Sequence, residues 1–214
     1  MSVDSLEWLK KFGDNEVALY VTSPPWDYKG GGKSAKCTTY DLIPDDEIVA
    51  YFAEMYRTTT PGGCLYCFVS KMRQFAYAKL VAGVGWKYRT CAFWDKTILG
   101  LGKWGGQVEP VWIWSKGTPT PFNKRMADLL SFPSPGKNKI PPEVYLAILQ
   151  MSAKPNDIVC DPFAGSDPLA AAAMVSGLQL QVRTNDIKWP EPRVFTTNPL
   201  PPKPKPTQTS LPTQ

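Results

Sequence analysis

The chain has 214 residues, of which 43% are hydrophobic and 20% are charged, and its formal net charge is +5. This length and balance predict one globular α/β domain with a substantial core. The sequence has no apolar run of 18 residues and no basic start followed by an apolar stretch, so we expect neither a membrane span nor a signal peptide.

The charge is unevenly distributed along the chain. From Lys188 onward, four basic residues stand against the single acidic residue Glu191, and the part before Lys188 is therefore only weakly basic. This balance permits a nucleic-acid partner without demanding one.

The residues that titrate or bind metals exclude some chemistry. The chain has no histidine, which excludes a histidine general base or catalytic triad. Its five cysteines are odd in number and scattered, as is typical of a reducing compartment. Cys64 and Cys67 have CxxC spacing, but they lie in an apolar run with no second pair nearby, so core packing is favoured over a zinc site. We predict no metal site.

Apolar periodicity predicts the elements of the first half in chain order. A helix begins at Asp4 or Ser5, and a buried strand follows over 17–22. A glycine-rich segment precedes a second helix that begins after Pro44. A turn at 61–63 then leads into a strand over 64–70.

The second half continues the alternation. The sequence predicts a helix over 72–81, strands over 87–94 and 108–115, and a helix opened by Pro141-Pro142. It then predicts a short strand over 158–161, an alanine-rich helix over 168–176 and a strand over 179–184. This βα pattern predicts an α/β fold with a mostly parallel sheet flanked by helices.

Residues 189–214 contain eight prolines and almost no aliphatic periodicity. They predict an extended, disordered tail after a domain that covers residues 1–188.

The first motif with chemical meaning follows the strand over 17–22. It has the sequence Ser23-Pro24-Pro25-Trp26. Two prolines fix the backbone and remove two amide donors, so the turn can direct carbonyl oxygens into a cleft. An exocyclic nucleobase amine is a poor nucleophile and needs such acceptors on its N–H groups, while Trp26 offers a flat surface for a base taken out of its stack. A simple proline turn after a core strand is an equally good interpretation of this motif alone.

The second motif lies between a strand and a helix. It has the sequence Asp161-Pro162-Phe163-Ala164-Gly165-Ser166. A glycine at this junction lets a ligand approach the backbone, and a helix N-terminus favours anionic groups. Asp186 ends the next predicted strand, where a carboxylate can accept hydrogen bonds from ribose hydroxyls. An ordinary carboxylate at a strand end is the alternative for Asp186.

Taken together, and in this order, the two motifs resemble those of the amino-methyltransferases of DNA in their permuted, beta-class arrangement, and those of the related messenger-RNA adenine-N6 methyltransferases. In that family a motif (S/D/N)PP(Y/W/F) precedes a motif DPFxGSG, and the likeness extends over roughly residues 3–187. The resemblance implies a circularly permuted, Rossmann-like methyltransferase fold and the cofactor S-adenosyl-L-methionine.

The resemblance also implies roles for individual residues. Ser23, Pro24, Pro25 and Trp26 would act on the target base, which would be adenine (N6) or cytosine (N4). Residues 161–166 would hold the cofactor, with Asp186 on its ribose and Asp4 at its adenine. The family has glycine where this chain has Asp167, so we expect the Asp167 carboxylate to repel the cofactor and the substitution Asp167→Gly to tighten binding.

The partner implied by the resemblance is nucleic acid, with DNA favoured over RNA and the target base flipped out. Four basic residues are candidates for phosphate contact, namely Lys33, Lys36, Lys124 and Arg125. A prokaryotic or viral cytoplasmic location, a homodimer and a heteromeric methyltransferase partner are further expectations. Three alternatives stay open. The substrate could be RNA, or it could be a small molecule or a protein, which the motif order disfavours. The chain could also be a non-catalytic subunit that binds nucleic acid or an active partner.

Overall fold

The architecture is built on one eight-stranded sheet with the order β5-β3-β4-β2-β1-β6-β7-β8. The computed structural model of the chain describes residues 4–25, 43–71, 74–100, 104–120, 122–136, 139–186 and 188–199. The strands are β1 (Val17–Thr22), β2 (Thr59–Phe68), β3 (Lys87–Asp95), β4 (Val108–Ser115), β5 (Leu129–Ser131), β6 (Ile158–Asp161), β7 (Gln181–Thr184) and β8 (Arg193–Thr196). The helices are α1 (Ser5–Leu9), α2 (Asp45–Thr58), α3 (Gln74–Gly83), α4 (Pro142–Ser152) and α5 (Pro168–Val175).

Most strands of the sheet run in one direction. β1 is parallel to both β2 and β6, β6 is parallel to β7, and β3 is parallel to β5. Only β4 and β8 run the opposite way among the described strands. The prediction of an α/β fold with a mostly parallel sheet is confirmed.

The chain crosses the sheet in two directions from its centre. After β1 the chain adds β2, β3, β4 and β5 on one side of the sheet, where they stand outward in the order β2-β4-β3-β5, and α4 then leads back to β6 on the other side of β1. The strand order therefore reverses between β1 and β6. A crevice forms at such a point beyond the carboxyl ends of the strands, and ligands of open α/β sheets bind there.

Helices cover both faces of the sheet. Leu19 of β1 packs with Leu149 of α4 and Leu169 of α5 on one face. Tyr20, the next residue of β1, packs on the other face with Leu9 of α1 and Phe52 of α2. Successive strand residues point to opposite faces, so the apolar run of β1 fills both cores.

Residues 61–63 do not form the predicted turn. They lie within β2, where Val17 pairs with Thr59 but Leu19 already pairs with Cys64, so the strand is bulged. Gly63 is needed there because a Cβ would lie 2.8 Å from the carbonyl oxygen of Ala18. The glycines thus permit a close approach of two parallel strands rather than a change of direction.

The end of the domain also differs from the prediction. β8 pairs antiparallel with β7, and it lies within the segment that we predicted to be a disordered tail. Thr197 follows β8, and its hydroxyl donates to the carbonyl of Leu178 (2.7 Å) and accepts from the amide of Leu180 (2.9 Å). The predicted boundary at residue 188 is therefore too early. β8 is short, mostly exposed and flanked by proline-rich sequence, so it leaves no apolar strand pattern in the sequence. Residues 200–214 lie outside the described residues.

None of the described helices is long and apolar enough to cross a bilayer.

The edge strand β8 allows a direct test of this boundary. Phe195 is partly buried and packs against the core under α4 and α5, whereas 67% of Val194, its neighbour in the same strand, is exposed. We expect Phe195→Ala to lower the free energy of unfolding in urea by about 2 kcal/mol. Val194→Ala, the matched control, should change it by no more than about 0.5 kcal/mol. Equal effects of the two substitutions would contradict the packing of β8 against the domain.

Candidate active site

Three strands of the sheet end side by side, at the edge that we call the carboxyl edge. β1 runs into Ser23-Pro24-Pro25, β6 into the loop over 162–167, and β7 into Asn185 and Asp186. Because β1 is the parallel neighbour of β6 and β6 of β7, the two sequence motifs and Asp186 lie next to one another. The structure thus brings together segments that are more than 130 residues apart in the chain.

The proline motif is described only in part. Ser23 and Pro25 are half-buried and Pro24 is buried. Trp26, Lys33 and Lys36 lie outside the described residues, so their assigned roles stay predictions.

A buried hydrogen bond joins the ends of β1 and β6. The hydroxyl of Thr22 donates to Oδ1 of Asp161 over 2.6 Å, and the amide of Phe163 donates to the same oxygen over 3.0 Å. Asp161 is fully buried, and its Oδ2 accepts no hydrogen bond of ordinary geometry among the described residues, although the Tyr145 phenol is close enough to interact with this carboxyl group. Burial, opposed by these two donors, raises the pKa of Asp161 to about 7.

Tyr145 of α4 is also buried near Asp161. Burial, followed by the charge of Asp161, raises the pKa of the Tyr145 phenol well above its ordinary value. The phenol is therefore neutral beside this carboxyl group.

The loop after β6 is held in an open conformation. Gly165 has φ +55°, and nothing lies within 4 Å of the place where a Cβ would stand. The hydroxyl of Ser5 donates to the carbonyl of Pro162 (2.6 Å), and the amide of Ala164 donates to the carbonyl of Asn185 (2.9 Å). The left-handed glycine thus presents its backbone to open space, as a site that accepts a ligand close to the main chain requires.

Asp186 faces this loop from the end of β7. Its Oδ2 accepts from the amide of Gly165 (2.9 Å), and its Oδ1 accepts from the amide of Lys188 (2.9 Å). Each carboxylate oxygen retains a further lone pair, and these lone pairs are the acceptors that the prediction assigns to the ribose hydroxyls. Asp186 is nevertheless only 7% exposed, so a sugar would have to reach it from the loop side.

Asp4 lies near the loop and caps α1. Its Oδ1 accepts from the amides of Leu6 (2.9 Å) and Glu7 (3.2 Å), and its Oδ2 accepts from the hydroxyl of Tyr51 (3.2 Å). Tyr51 in turn contacts the ring of Phe163, with 5.3 Å between the ring centroids. Asp4 is thus connected with the second motif through an aromatic pair.

The carboxylate of Asp167 forms hydrogen bonds and an ion pair within the protein. Asp167 has φ +62° and caps α5, with Oδ1 accepting from the amide of Ala170 (3.2 Å). Its Oδ2 accepts from the hydroxyl of Thr184 (3.2 Å) and pairs with the guanidinium of Arg193 (3.0 Å). The structure therefore gives no basis for the repulsion that motivated Asp167→Gly, because the negative charge has a cationic partner.

Lys124 and Arg125 are not brought to this site. Lys124 donates to the side chain of Gln150 (3.0 Å), and Asn123 beside it donates to the carbonyl of Ala153 (2.6 Å), just after α4 ends. The chain enters β6 from there, so this pair lies at the opposite, amino edge of the sheet. The basic pair was a candidate for phosphate contact only because its side chains are basic. The path of α4 shows that it lies far from the two motifs.

Sequence analysis missed several residues at the site. Thr22 and Ser5 are ordinary polar residues in the sequence, and only the folded structure shows that Thr22, at the end of β1, and Ser5, at the start of α1, donate hydrogen bonds to the second motif. Arg193 was assigned to the tail. For Thr22, its position directly before the proline motif at the end of a strand was a usable signal.

The cysteine pair behaves as predicted. Cys64 and Cys67 are buried, and they belong to the cores on opposite faces of the sheet. They cannot share a ligand. In the described part of the chain, no three His, Cys, Asp or Glu side chains form a group that could hold a metal ion.

The strand order, the reversal beside β1 and the glycine turn after β6 define a Rossmann-like fold of the S-adenosylmethionine-dependent methyltransferase type. A family model described as DNA methylase, for N6 and N4 methylases, matches residues 102–179. YubD of Escherichia coli (strain K12), which is named as a methylase, is 26% identical over 179 residues, covering 81% of this chain and 78% of YubD.

Solved structures give the same fold. TTHA0409 of Thermus thermophilus, in complex with S-adenosyl-L-methionine, superposes with a TM-score of 0.63 at 19% identity, covering 87% of this chain and 88% of that one. The cytosine-N4-specific PvuII DNA methyltransferase superposes with a TM-score of 0.66 at 17% identity, covering 87% and 80%. These structures confirm the fold, and the family model and YubD confirm the resemblance to DNA methylases.

The raised pKa of Asp161 predicts a pH-dependent stability. Between about pH 4 and pH 7 this carboxyl is protonated in the folded chain and ionised in the unfolded chain, so its contribution to the free energy of unfolding falls by at most ~1.4 kcal/mol per pH unit as the pH rises. Asp161→Asn removes this ionisation. We expect its free energy of unfolding, measured in urea relative to the wild type, to rise across this window and level off above it. A constant difference from about pH 4 to about pH 8 would contradict a neutral buried Asp161.

Proposed function

We propose that the chain is a methyltransferase that uses S-adenosyl-L-methionine to methylate the exocyclic amine of adenine (N6) or cytosine (N4) in DNA. The observation that carries this proposal is the parallel pairing of β1 with β6. It sets Ser23-Pro24-Pro25 beside the glycine turn over 161–166 at one edge of the sheet. A motif that holds the target base and a motif that holds the cofactor can act together only if they face the same ligand crevice.

The described residues fit the cofactor. Gly165 leaves open space beside its backbone, and Oδ2 of Asp161 accepts no hydrogen bond of ordinary geometry among the described residues, so a cationic amine beside it would favour the ionised form of this buried carboxyl group. Residues 161–166 would hold the methionine end, Asp186 the ribose, and Asp4 with Tyr51 and Phe163 the adenine. The structures of TTHA0409 and M1.HpyAVI with S-adenosylmethionine support this assignment by their fold.

The proline motif would activate the target amine by position. The Ser23 hydroxyl and the Pro24 carbonyl accept the two N–H groups, so the nitrogen lone pair leaves the ring system and points along the line of attack. When bound, the cofactor supplies a methyl group on a sulfonium: the new N–C bond forms as the C–S bond breaks, and S-adenosylhomocysteine leaves. The amine proton then passes to water, which is consistent with a chain that has no histidine.

Other groups at the carboxyl edge support a nucleic-acid substrate. Lys71 is exposed and follows β2, and Trp104 is 97% exposed in the connection from β3 to β4. A cation suits phosphate and an exposed ring suits an unstacked base. The name of the matching family favours DNA. In the family that the motifs resemble, a serine at the place of Ser23 favours cytosine and a tryptophan at the place of Trp26 favours adenine, so the proposal keeps both bases.

Methyl transfer to unmethylated DNA and RNA, measured with labelled cofactor and nucleoside mass spectrometry, tests the proposal. We expect N6-methyladenine or N4-methylcytosine in the DNA. In the variant Pro24→Ala with Pro25→Ala, the rate should fall at least about 100-fold, because the acceptors lose their fixed geometry. Binding of S-adenosylhomocysteine should change little.

The outcomes separate the alternatives. Methylated product in RNA alone would show that the substrate is RNA rather than DNA. Nucleic-acid binding without product and without cofactor binding would contradict the proposal and favour a non-catalytic subunit. Product that persists unchanged in the proline variant would contradict the role of the motif.

A further inference from the structure

An arginine from the edge strand of the sheet reaches the candidate cofactor loop. Arg193 is the first residue of β8, and its backbone pairs with Thr184 of β7. Its guanidinium lies 3.0 Å from Oδ2 of Asp167 and 4.2 Å from the centroid of the Trp189 ring. Arg193 therefore touches the residues that follow both β6 and β7.

Asp167 is an unusual residue for its place. Its side chain is 3% exposed, and its backbone has φ +62°, only two residues after Gly165 with φ +55°. A buried carboxylate needs a cation or several donors to remain ionised, and a left-handed backbone needs local hydrogen bonds if the residue is not glycine. Burial raises the pKa of Asp167, and the amide of Ala170 and the charge of Arg193 oppose that rise.

We propose that Arg193 is a positioning residue for the cofactor loop, which compensates the charge of Asp167 and thereby holds the turn over Gly165–Asp167 in its ligand-accepting conformation. This inference rests on the proposed function. It gives the antiparallel strand β8 a role in cofactor binding.

The same arginine connects the loop with the ribose side of the site. The amide of Trp189 donates to the carbonyl of Asp186 over 2.9 Å, and the ring of Trp189 covers the Arg193 guanidinium. Asp186 in turn accepts from the amide of Gly165. Arg193 thus contacts the turn after β6 through Asp167 and the turn after β7 through Trp189. The hydrogen bond from Gly165 to Asp186 joins the same two turns.

Charge compensation can be separated from simple support of the strand by a double-mutant cycle. In Arg193→Gln the buried carboxylate of Asp167 loses its cation, so we expect S-adenosylhomocysteine to bind about tenfold more weakly in calorimetry. Asn tolerates left-handed backbone and can still accept from Ala170, so Asp167→Asn should bind within about threefold of the wild type. The double variant should bind as Asp167→Asn does, and Arg193→Lys should retain most of the affinity.

Arg183 offers a matched control on the same pair of strands. It pairs with Glu16 (2.7 Å) and lies over the ring of Phe12 (4.9 Å), but it does not reach the cofactor loop. Arg183→Gln should lower the free energy of unfolding about as much as Arg193→Gln does and leave binding unchanged.

Each remaining outcome overturns a definite claim. If Arg193→Gln binds like the wild type, or if Asp167→Asn fails to restore its binding, Arg193 does not act through the charge of Asp167. If the wild type itself binds no S-adenosylhomocysteine, both this inference and the proposed function are wrong.

Discussion

The pairing of β1 with β6 is the constraint on which the site depends. The two strands are parallel neighbours, yet more than 130 residues separate them in the chain, and α4 must return across the sheet to place them together. The hydrogen bond from Thr22 to Asp161 fixes the ends of these strands relative to each other in a fully buried setting. The distance between Ser23-Pro24-Pro25 and the glycine turn over 161–166 is therefore set by the core of the protein rather than by loops.

The carboxyl edge gathers three carboxyl groups, and each is accommodated differently. Asp161 is buried with a pKa of about 7, and the charges of Asp167 and Asp186 add to that rise. Asp186 accepts from two backbone amides, and Asp167 pairs with Arg193. Three carboxyl groups can therefore lie together at this edge with little mutual repulsion, because one is largely neutral, one accepts from backbone amides and one has a cationic partner.

Much of the fold follows from the sequence because the decisive elements are strongly apolar or carry clear boundary residues. The strand over 17–22, the helix opened by Pro142 and the strand over 158–161 are of this kind. β5 and β8 could not be predicted, because each is short, mostly exposed and paired with a single neighbouring strand, whereas the equally short β6 is apolar and buried. The bulge at Gly63 was taken for a turn, since the glycines permit both conformations and only the parallel partner β1 decides between them.

The candidate site was predicted to a similar extent. The two motifs and Asp186 were identified because their residue types carry chemistry at strand ends. Thr22, Ser5 and Arg193 were not, because they act through contacts between distant segments, and Lys124 was assigned to the site although α4 carries the chain to the opposite edge. Local sequence indicates which residues can do chemistry, whereas the sheet determines which of them meet.

Amide hydrogen exchange with and without S-adenosylhomocysteine tests the location of the site most directly. The account predicts slower exchange over 162–168 and 184–189, because the ligand binds and stabilises the turns after β6 and β7. It predicts no change over 115–120, at the amino edge. Protection confined to the amino edge, or protection absent from the turn around Gly165, would contradict a cofactor site at the ends of β1 and β6.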